Sequence, residues 1–441
     1  MCYPQGMKLR IAIVVALAGS AFGQEPAPLK LTLRDAVQLA LKQSPQVILA
    51  NLGVQQSQQD RNLARSALLP QVHAAASENV NRINLEAAIG LRFPGFTQHV
   101  GPYGYEQVGV NFEAPVFDLT LWRRYRASAV GIDTSRAQEL SVREESVLLV
   151  VSQYLGSQRA AADVQAAQSR VDLAQALYEQ AADLQKNGVG TGIDTLRANV
   201  QLQNEKQRLI VARTQLETSL FGLGRLLNID PHTRVELADQ VSFFDTPSID
   251  VNHTLEQAWQ ARPDLRQVLS QEQRAELELQ AASDQRLPRL TASGFWAQQG
   301  LNSSNVIPVY TYQAAVEVPL FTGGRIQADR AKAEITIREL KQQEQEVRNR
   351  ISLEVKTAIA QLASARNEVD VANLGIQLAR QEVDQSRDRF QAGVTNNVEV
   401  IQAQDTFARA SDNQIAALYR YNQSRADLAH SVGQMEALYA K

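Results

Sequence analysis

Two periodicities alternate along this chain. In the first half, Val164, Val171 and Tyr178 recur every seventh residue beside Ala160, Ala167, Ala174 and Ala181. The spacing returns in Leu362, Val369, Ile376, Val383 and Phe390, with Ala365, Ala372 and Ala379 beside the first three. Strict heptads make a left-handed seam between helices, and alanine at one seam position lets the backbones approach closely. No proline falls between Pro115 and Pro231, or after Pro319. Interior proline costs a helix about 3 kcal/mol, so these clean stretches predict very long helices. Their bounds are about 118–228 and 322–436. From Phe117 to Asn187 the first would run about 70 residues, or roughly 100 Å. An ordinary amphipathic helix on a compact core fails on that length.

Between the helices the period changes to two. Val108, Val110, Phe112, Ala114 and Val116 alternate with Gln107, Gly109, Asn111 and Glu113. Tyr312, Ala314, Val316, Val318 and Leu320 alternate with Thr311, Gln313, Ala315 and Glu317. We place strand hairpins at about 71–117 and 289–321. One apolar and one polar face suit strands with lipid outside and water inside. The competing reading, an edge hairpin on a soluble core, is weakened because these strands lead straight into helices that bury themselves elsewhere. The partner strands, Gln71 to Val80 and Arg289 to Gln298, alternate poorly. Asn81 to Gly104, with its FPGF and GPYGY runs, reads as an extended loop.

The chain is also written twice. TLRDAVQLALKQSP (Thr32 to Pro45) returns as TLEQAWQARP (Thr254 to Pro263), and LLPQV around Pro70 returns as RLPRL around Pro288. VNFEAPVF matches AVEVPLF, aligning Glu113 with Glu317 and Pro115 with Pro319. NGVGTGIDTLRA (Asn187 to Ala198) matches AGVTNNVEVIQA (Ala392 to Ala403). Four landmarks in one order make an internal two-fold repeat, too long and too few for a solenoid. The repeats span about 30–230 and 252–436, with a linker over 229–253.

Composition narrows the class. Met7 to Arg10 is a short basic start, Ile11 to Ala18 is apolar, and Ala21-Phe22-Gly23 offers a cleavage site. Residues 1–23 therefore read as a signal peptide, with the mature chain starting near Gln24. The single cysteine, Cys2, falls in that segment, so disulfides, thiolate metal sites and a lipid-bearing N-terminal cysteine are not expected in the mature chain. A net charge of -3 argues against a general nucleic-acid partner. After Gly23 no stretch is apolar enough for a membrane helix, so any membrane passage would use β-strands. The five histidines (His73, His99, His232, His253, His430) are scattered without metal-ligand spacing. With no nucleophile elbow and no phosphate loop, neither cofactor nor catalytic activity is expected.

Four strands cannot close a barrel, since the smallest membrane barrels need about eight. Three copies would supply twelve and bring the long helices side by side into a tube. These features resemble the TolC-type outer-membrane efflux proteins. The resemblance rests on the duplicated L-P strand starts, the E-x-P-[VL]-F strand ends and the paired G-V-x-[TN]-x-x-[DE] junctions. It covers essentially the whole mature chain. It implies a mixed α/β membrane protein, a homotrimer whose 12-stranded β-barrel continues into a long α-helical coiled-coil barrel through the periplasm. It also implies a periplasmic adaptor (membrane fusion protein), an inner-membrane pump and outer-membrane lipid as partners, and drugs, dyes, metals or polypeptides as substrates. The alternative is a soluble periplasmic scaffold or pump adaptor, although the short-stranded lipoyl-like segments of an adaptor are absent.

By position, the resemblance puts the periplasmic tip turns at Gly188, Gly190 and Thr191 and at Gly393 and Asn396. The channel constriction falls at Glu399, Gln402 and Asp194, with Gln402 standing where relatives usually carry a second acid. A structural reading competes. Thr191-x-x-Asp194 and Asn396-x-x-Glu399 have capping-box spacing, and an acid in a first turn suits the helix dipole. The glycines would permit positive φ at tight turns. Trp122, Arg123 and Arg124, just past a strand end, read either as a membrane-interface belt or as a solvated helix start with one packed indole.

Overall fold

The computed structural model describes residues 28–90, 95, 97–239, 249–302 and 304–440. The expected signal peptide and its cleavage site lie outside these residues, as do most of FPGF and part of the expected linker. The chain opens with β1 (Leu29–Leu31), α1 (Leu33–Gln43), α2 (Pro45–Ser66), β2 (Gln71–Asn84), α3 (Leu85–Ile89), β3 (His99–Phe117), α4 (Leu119–Lys186) and α5 (Gly192–Leu226). It continues through β4 (Val235–Leu237), α6 (Val251–Ala261), α7 (Pro263–Asp284), β5 (Arg289–Gly300), β6 (Val306–Glu317), α8 (Arg325–Gln391), α9 (Asn397–Val432) and α10 (Met435–Tyr439). The succession short helix pair, strand hairpin, long helix and returning helix thus occurs twice.

Local chemistry fixes the boundaries. Thr32 accepts from the Asp35 amide at 3.1 Å, and the Asp35 carboxylate accepts from the Thr32 amide at 3.3 Å, a reciprocal cap that starts α1. Pro45 and Pro263 stand in the first turns of α2 and α7, where the missing N–H costs nothing. The Asp118 carboxylate accepts from the Leu121 amide at 3.1 Å and opens α4. α8 instead follows Gly323 and Gly324, both at positive φ. α4 and α8 run 68 and 67 residues, roughly 100 Å each.

Each long helix folds back on its successor, α4 on α5 and α8 on α9. Along the heptads, Ala160, Ala167, Ala174 and Ala181 are buried, as are Leu362, Ala365, Val369, Ala379 and Val383. Ile376 and Ala372 are only half-buried. The thickest core lies midway, where Ala36, Val37 and Ala40 of α1 pack on Val147, Val150, Val151 and Tyr154 of α4, with Leu223, Leu227 and Met435. The Tyr154 hydroxyl donates to the Leu31 carbonyl at 2.9 Å and lies 3.1 Å from Asp239. Burial, reinforced by that neighbouring carboxylate, pushes its pKa well above the usual phenol range.

The strands form one four-stranded antiparallel sheet in the order β2-β3-β5-β6, with β1 and β4 paired separately in parallel. Asn81 to Gly104 is not one loop. Pairing continues past Val80 through Asn81 opposite Tyr103 and, after a register shift, Asn84 opposite His99; α3 follows. Gly104, Tyr103 and Val100 supply the partner backbone, so the run at 81–84, polar except for Ile83, extends the strand rather than ending it. Directly opposed residues share a face. One face carries Val72, Ala74, Ala76, Val108, Val110, Phe112, Trp296, Tyr312 and Val316. The other carries Gln71, Ser77, Asn79, Gln107, Asn111, Glu113, Ser293, Gln299 and Gln313. On the apolar face the band gives way to Glu78 opposite Glu106. Among the described residues no helix is long and apolar enough to cross a membrane.

Candidate functional site

The ends of the two helical hairpins converge. After α4, Gly188 takes φ 75° and the chain closes by Val189 and Gly190 amides donating to the Leu184 carbonyl at 3.0 and 2.9 Å. A Cβ at Gly190 would meet the Gln185 backbone nitrogen at 2.9 Å, so this glycine is required by close approach. After α8, Gly393 takes φ 68° and the Val394 amide donates to the Arg389 carbonyl at 3.0 Å. An apolar cluster of Leu177, Ala181, Ala198, Phe390 and Val400 fills the space between the hairpins. Val189 and Val394 project outward, 78% and 69% exposed.

The two acids at this end differ. Thr191 caps α5, accepting from the Asp194 amide at 3.4 Å, and its hydroxyl donates to the Asp194 carboxylate. Arg197 lies at the edge of ion-pair range from Asp194, at 4.0 Å. Asn396 caps α9 through the Val398 amide at 3.1 Å, leaving Glu399 out of the cap. The box expected over Asn396 to Glu399 is therefore not formed: the Asn396 side chain accepts from the amide two residues on, not three. The Glu399 carboxylate pairs instead with the Arg389 guanidinium at 3.2 Å and accepts from the Thr395 hydroxyl. Gln402 stands one turn along α9 and is exposed.

Sequence reasoning missed Asn397. It is fully buried, and its amide donates to the Asp194 carbonyl at 2.9 Å, tying one hairpin end to the other. The doubled Asn396-Asn397 was the only signal. Farther along, the Arg170 guanidinium pairs with Asp412 at 2.9 Å across α4 and α9, and buried Glu205 pairs with Arg208 at 2.7 Å. Near the sheet, Trp122 is exposed and tilted against Tyr125 at 5.7 Å, and Arg124 is exposed too. Arg123 turns inward to Asp284 of α7 at 3.2 Å.

This arrangement is a two-faced sheet set on two long helical hairpins whose ends are held together. The model of the family described as outer membrane efflux protein matches residues 36–228 and again residues 254–434. The chain belongs to the outer membrane efflux protein family. It is a channel protein of the bacterial outer membrane that serves export. Alkaline protease secretion protein AprF of Pseudomonas aeruginosa is 24% identical over 92% of this chain and 85% of its own length. Pyoverdine export outer membrane protein OpmQ of the same species is 21% identical over 86% of this chain and 80% of its own. The CmeC outer membrane channel of Campylobacter jejuni superposes with a TM-score of 0.79 over 91% of this chain and 85% of its own, at 19% identity. That likeness carries the fold of this efflux protein, a sheet continued by long helices.

Proposed function

We propose that three copies of this efflux protein enclose one duct. Their sheets form a twelve-stranded barrel, with the apolar face toward lipid and the polar face toward water. Their helical hairpins form a tube that crosses the periplasm to a periplasmic adaptor and an inner-membrane pump. The observation that carries this reading is the single sheet with opposed faces running straight into hairpins roughly 100 Å long. From Val108 to Val116 the apolar face of β3 spans about nine residues, the length of one tilted membrane strand. Trp122 and Arg124 then stand at the lipid–water boundary, and the outward Val189 and Val394 form the apolar knobs offered to an adaptor. AprF is named for protease secretion and OpmQ for pyoverdine export. The same duct here passes solutes delivered by its pump.

The duct narrows at the hairpin ends, where Glu399 is repeated around the axis. A ring of carboxylates favours cations and holds divalent ions. Asp194, engaged with Thr191, serves the fold of its turn, and Gln402 leaves one acidic layer instead of two. Arg389 partly neutralises Glu399, so the two residues set the ring's charge in opposition. In planar-bilayer recordings, Glu399→Gln lowers cation preference and divalent block, whereas Arg389→Gln raises both. Cation preference and block that survive Glu399→Gln unchanged would overturn the constriction.

A further inference from the structure

A set of arginines recurs at one height beside the sheet. Phe117 lies opposite Leu290 after a register shift, and Leu290 opposite Val316, so these three close one edge of the apolar face. Past that edge Leu320 and Phe321 are 95% and 90% exposed, and Trp122 of α4 is exposed too. Arg126 stands seven residues past the start of α4 and Arg330 five past the start of α8, about 10 and 8 Å along helices that leave the sheet. Counting on from Phe117 and Phe321, Arg126 falls on Arg330, each followed by alanine. Arg65 is the penultimate residue of α2, which ends at the sheet where α4 begins. The Arg61 guanidinium donates to the Tyr125 hydroxyl at 2.7 Å. Arg65, one turn nearer the sheet, therefore comes level with Trp122.

Helix phase gives these side chains a direction. α4 meets α7 through Arg123 and Gly131, and α2 through Tyr125 and Ser135. At 3.6 residues per turn Arg124 lies between those two contact sides, roughly 60° from each. It looks into a cavity that Arg274 and Lys332 also line. That side is the concave one, facing water, and Trp122 and Arg126 stand on the convex side opposite. Arg65 and Arg126 are exposed and hold no ion pair among the described residues, and Arg330 reaches Glu334 only at 3.6 Å. We propose that Arg65, Arg126 and Arg330 form a collar that binds the phosphodiester headgroups of anionic phospholipids in the inner leaflet. Headgroups fill roughly 5–8 Å beyond the hydrocarbon on each side, the height at which the collar lies past the apolar edge. A guanidinium takes two phosphate oxygens at once, and tryptophan settles in the same layer. A zwitterionic headgroup brings an ammonium that competes for that phosphate, so the collar selects the anionic lipid. This inference rests on the lipid-facing sheet proposed above and adds the headgroup chosen beside it.

The test reconstitutes the full chain in phosphatidylcholine vesicles with trace spin-labelled phosphatidylglycerol or spin-labelled phosphatidylcholine. Electron spin resonance then counts the lipid immobilised against the protein. The parent should hold the phosphatidylglycerol label roughly fivefold better at 0.1 M salt. That preference should fade toward 1 M salt, where the screening length falls from about 10 Å to about 3 Å. Combining Arg65→Gln, Arg126→Gln and Arg330→Gln should bring the ratio near one while the total of immobilised lipid stays that of the parent. A ratio of one in the parent, or a ratio unmoved in the triple variant, would overturn the collar and spare the lipid-facing sheet. If the triple variant fails to insert, the salt series on the parent decides, and a preference that survives 1 M salt overturns the collar. A parent that immobilises no lipid would remove both.

Discussion

Asn397 is enclosed at the hairpin ends, and its amide holds the Asp194 carbonyl across them. That carbonyl also lies in the first turn of α5, so losing the cross-tie costs a single hydrogen bond, about 1 kcal/mol. Asn397→Ala should therefore loosen the ends without unfolding the chain. Amide exchange should quicken at 188–194 and 393–399 while thermal melting stays near that of the parent. Unchanged exchange there would mean that the apolar cluster around Phe390 alone holds the ends. At this scale the sequence was legible where chemistry is local. Thr191 and Asn396 stand out as caps because a cap needs only the next few amides. Glu399 meeting Arg389, and Asn397 meeting Asp194, depend on the hairpin closing and on the other half of the chain. No spacing rule contains either contact.

The elements divide in the same way. The heptads around Leu362 and Ala365 and the proline-free runs foretold the helices, since both signals repeat along a single segment. The strands were legible only where apolar and polar side chains alternate. Past Val80 the apolar run breaks off, with Ile83 alone among Asn81, Arg82 and Asn84, and only pairing with the segment ending at Gly104 reveals that β2 goes on. The sheet's two faces make a paired prediction. Val110 lies on the apolar face and its neighbour Asn111 on the polar one. An arginine facing lipid at mid-depth costs about 2–4 kcal/mol, whereas one facing the water-filled interior costs little. Val110→Arg should abolish the compact, heat-modifiable form on unheated gels, and Asn111→Arg should retain it. Equal loss in both variants would remove the assignment of faces.

For the whole molecule, the joints between elements carry the load. Arg262, buried where α6 meets α7, grips Asp264 at 2.7 Å and Glu354 of α8 at 2.8 Å, and Arg350 reaches Asp264 at 3.1 Å. Burial pushes the Asp264 carboxyl up, but the hydrogen bonds and charge of Arg262 outweigh it and hold the group below the ordinary range. A depressed folded pKa contributes stability above the unfolded value of about 3.9, and that contribution fades as pH falls through the lower folded value. Asp264→Asn should cost about 3 kcal/mol at neutral pH, read as a lower melting temperature. Its deficit should persist down to about pH 4 and shrink only below. A deficit that vanished already near pH 6 would place the loss elsewhere. At the other end, the polar face of the sheet has a consequence of its own. Its hydrogen-bonding side chains are largely amides, Gln71, Asn79, Gln107, Asn111, Gln299 and Gln313, and its Arg289 is paired with Glu317 at 2.6 Å. A solute passing the amides exchanges water for neutral donors and acceptors of similar strength, while Glu113, exposed on the same face, adds one carboxylate per copy. In the proposed duct the amide wall therefore adds little drag, and whatever charge preference the barrel has is set at the level of Glu113.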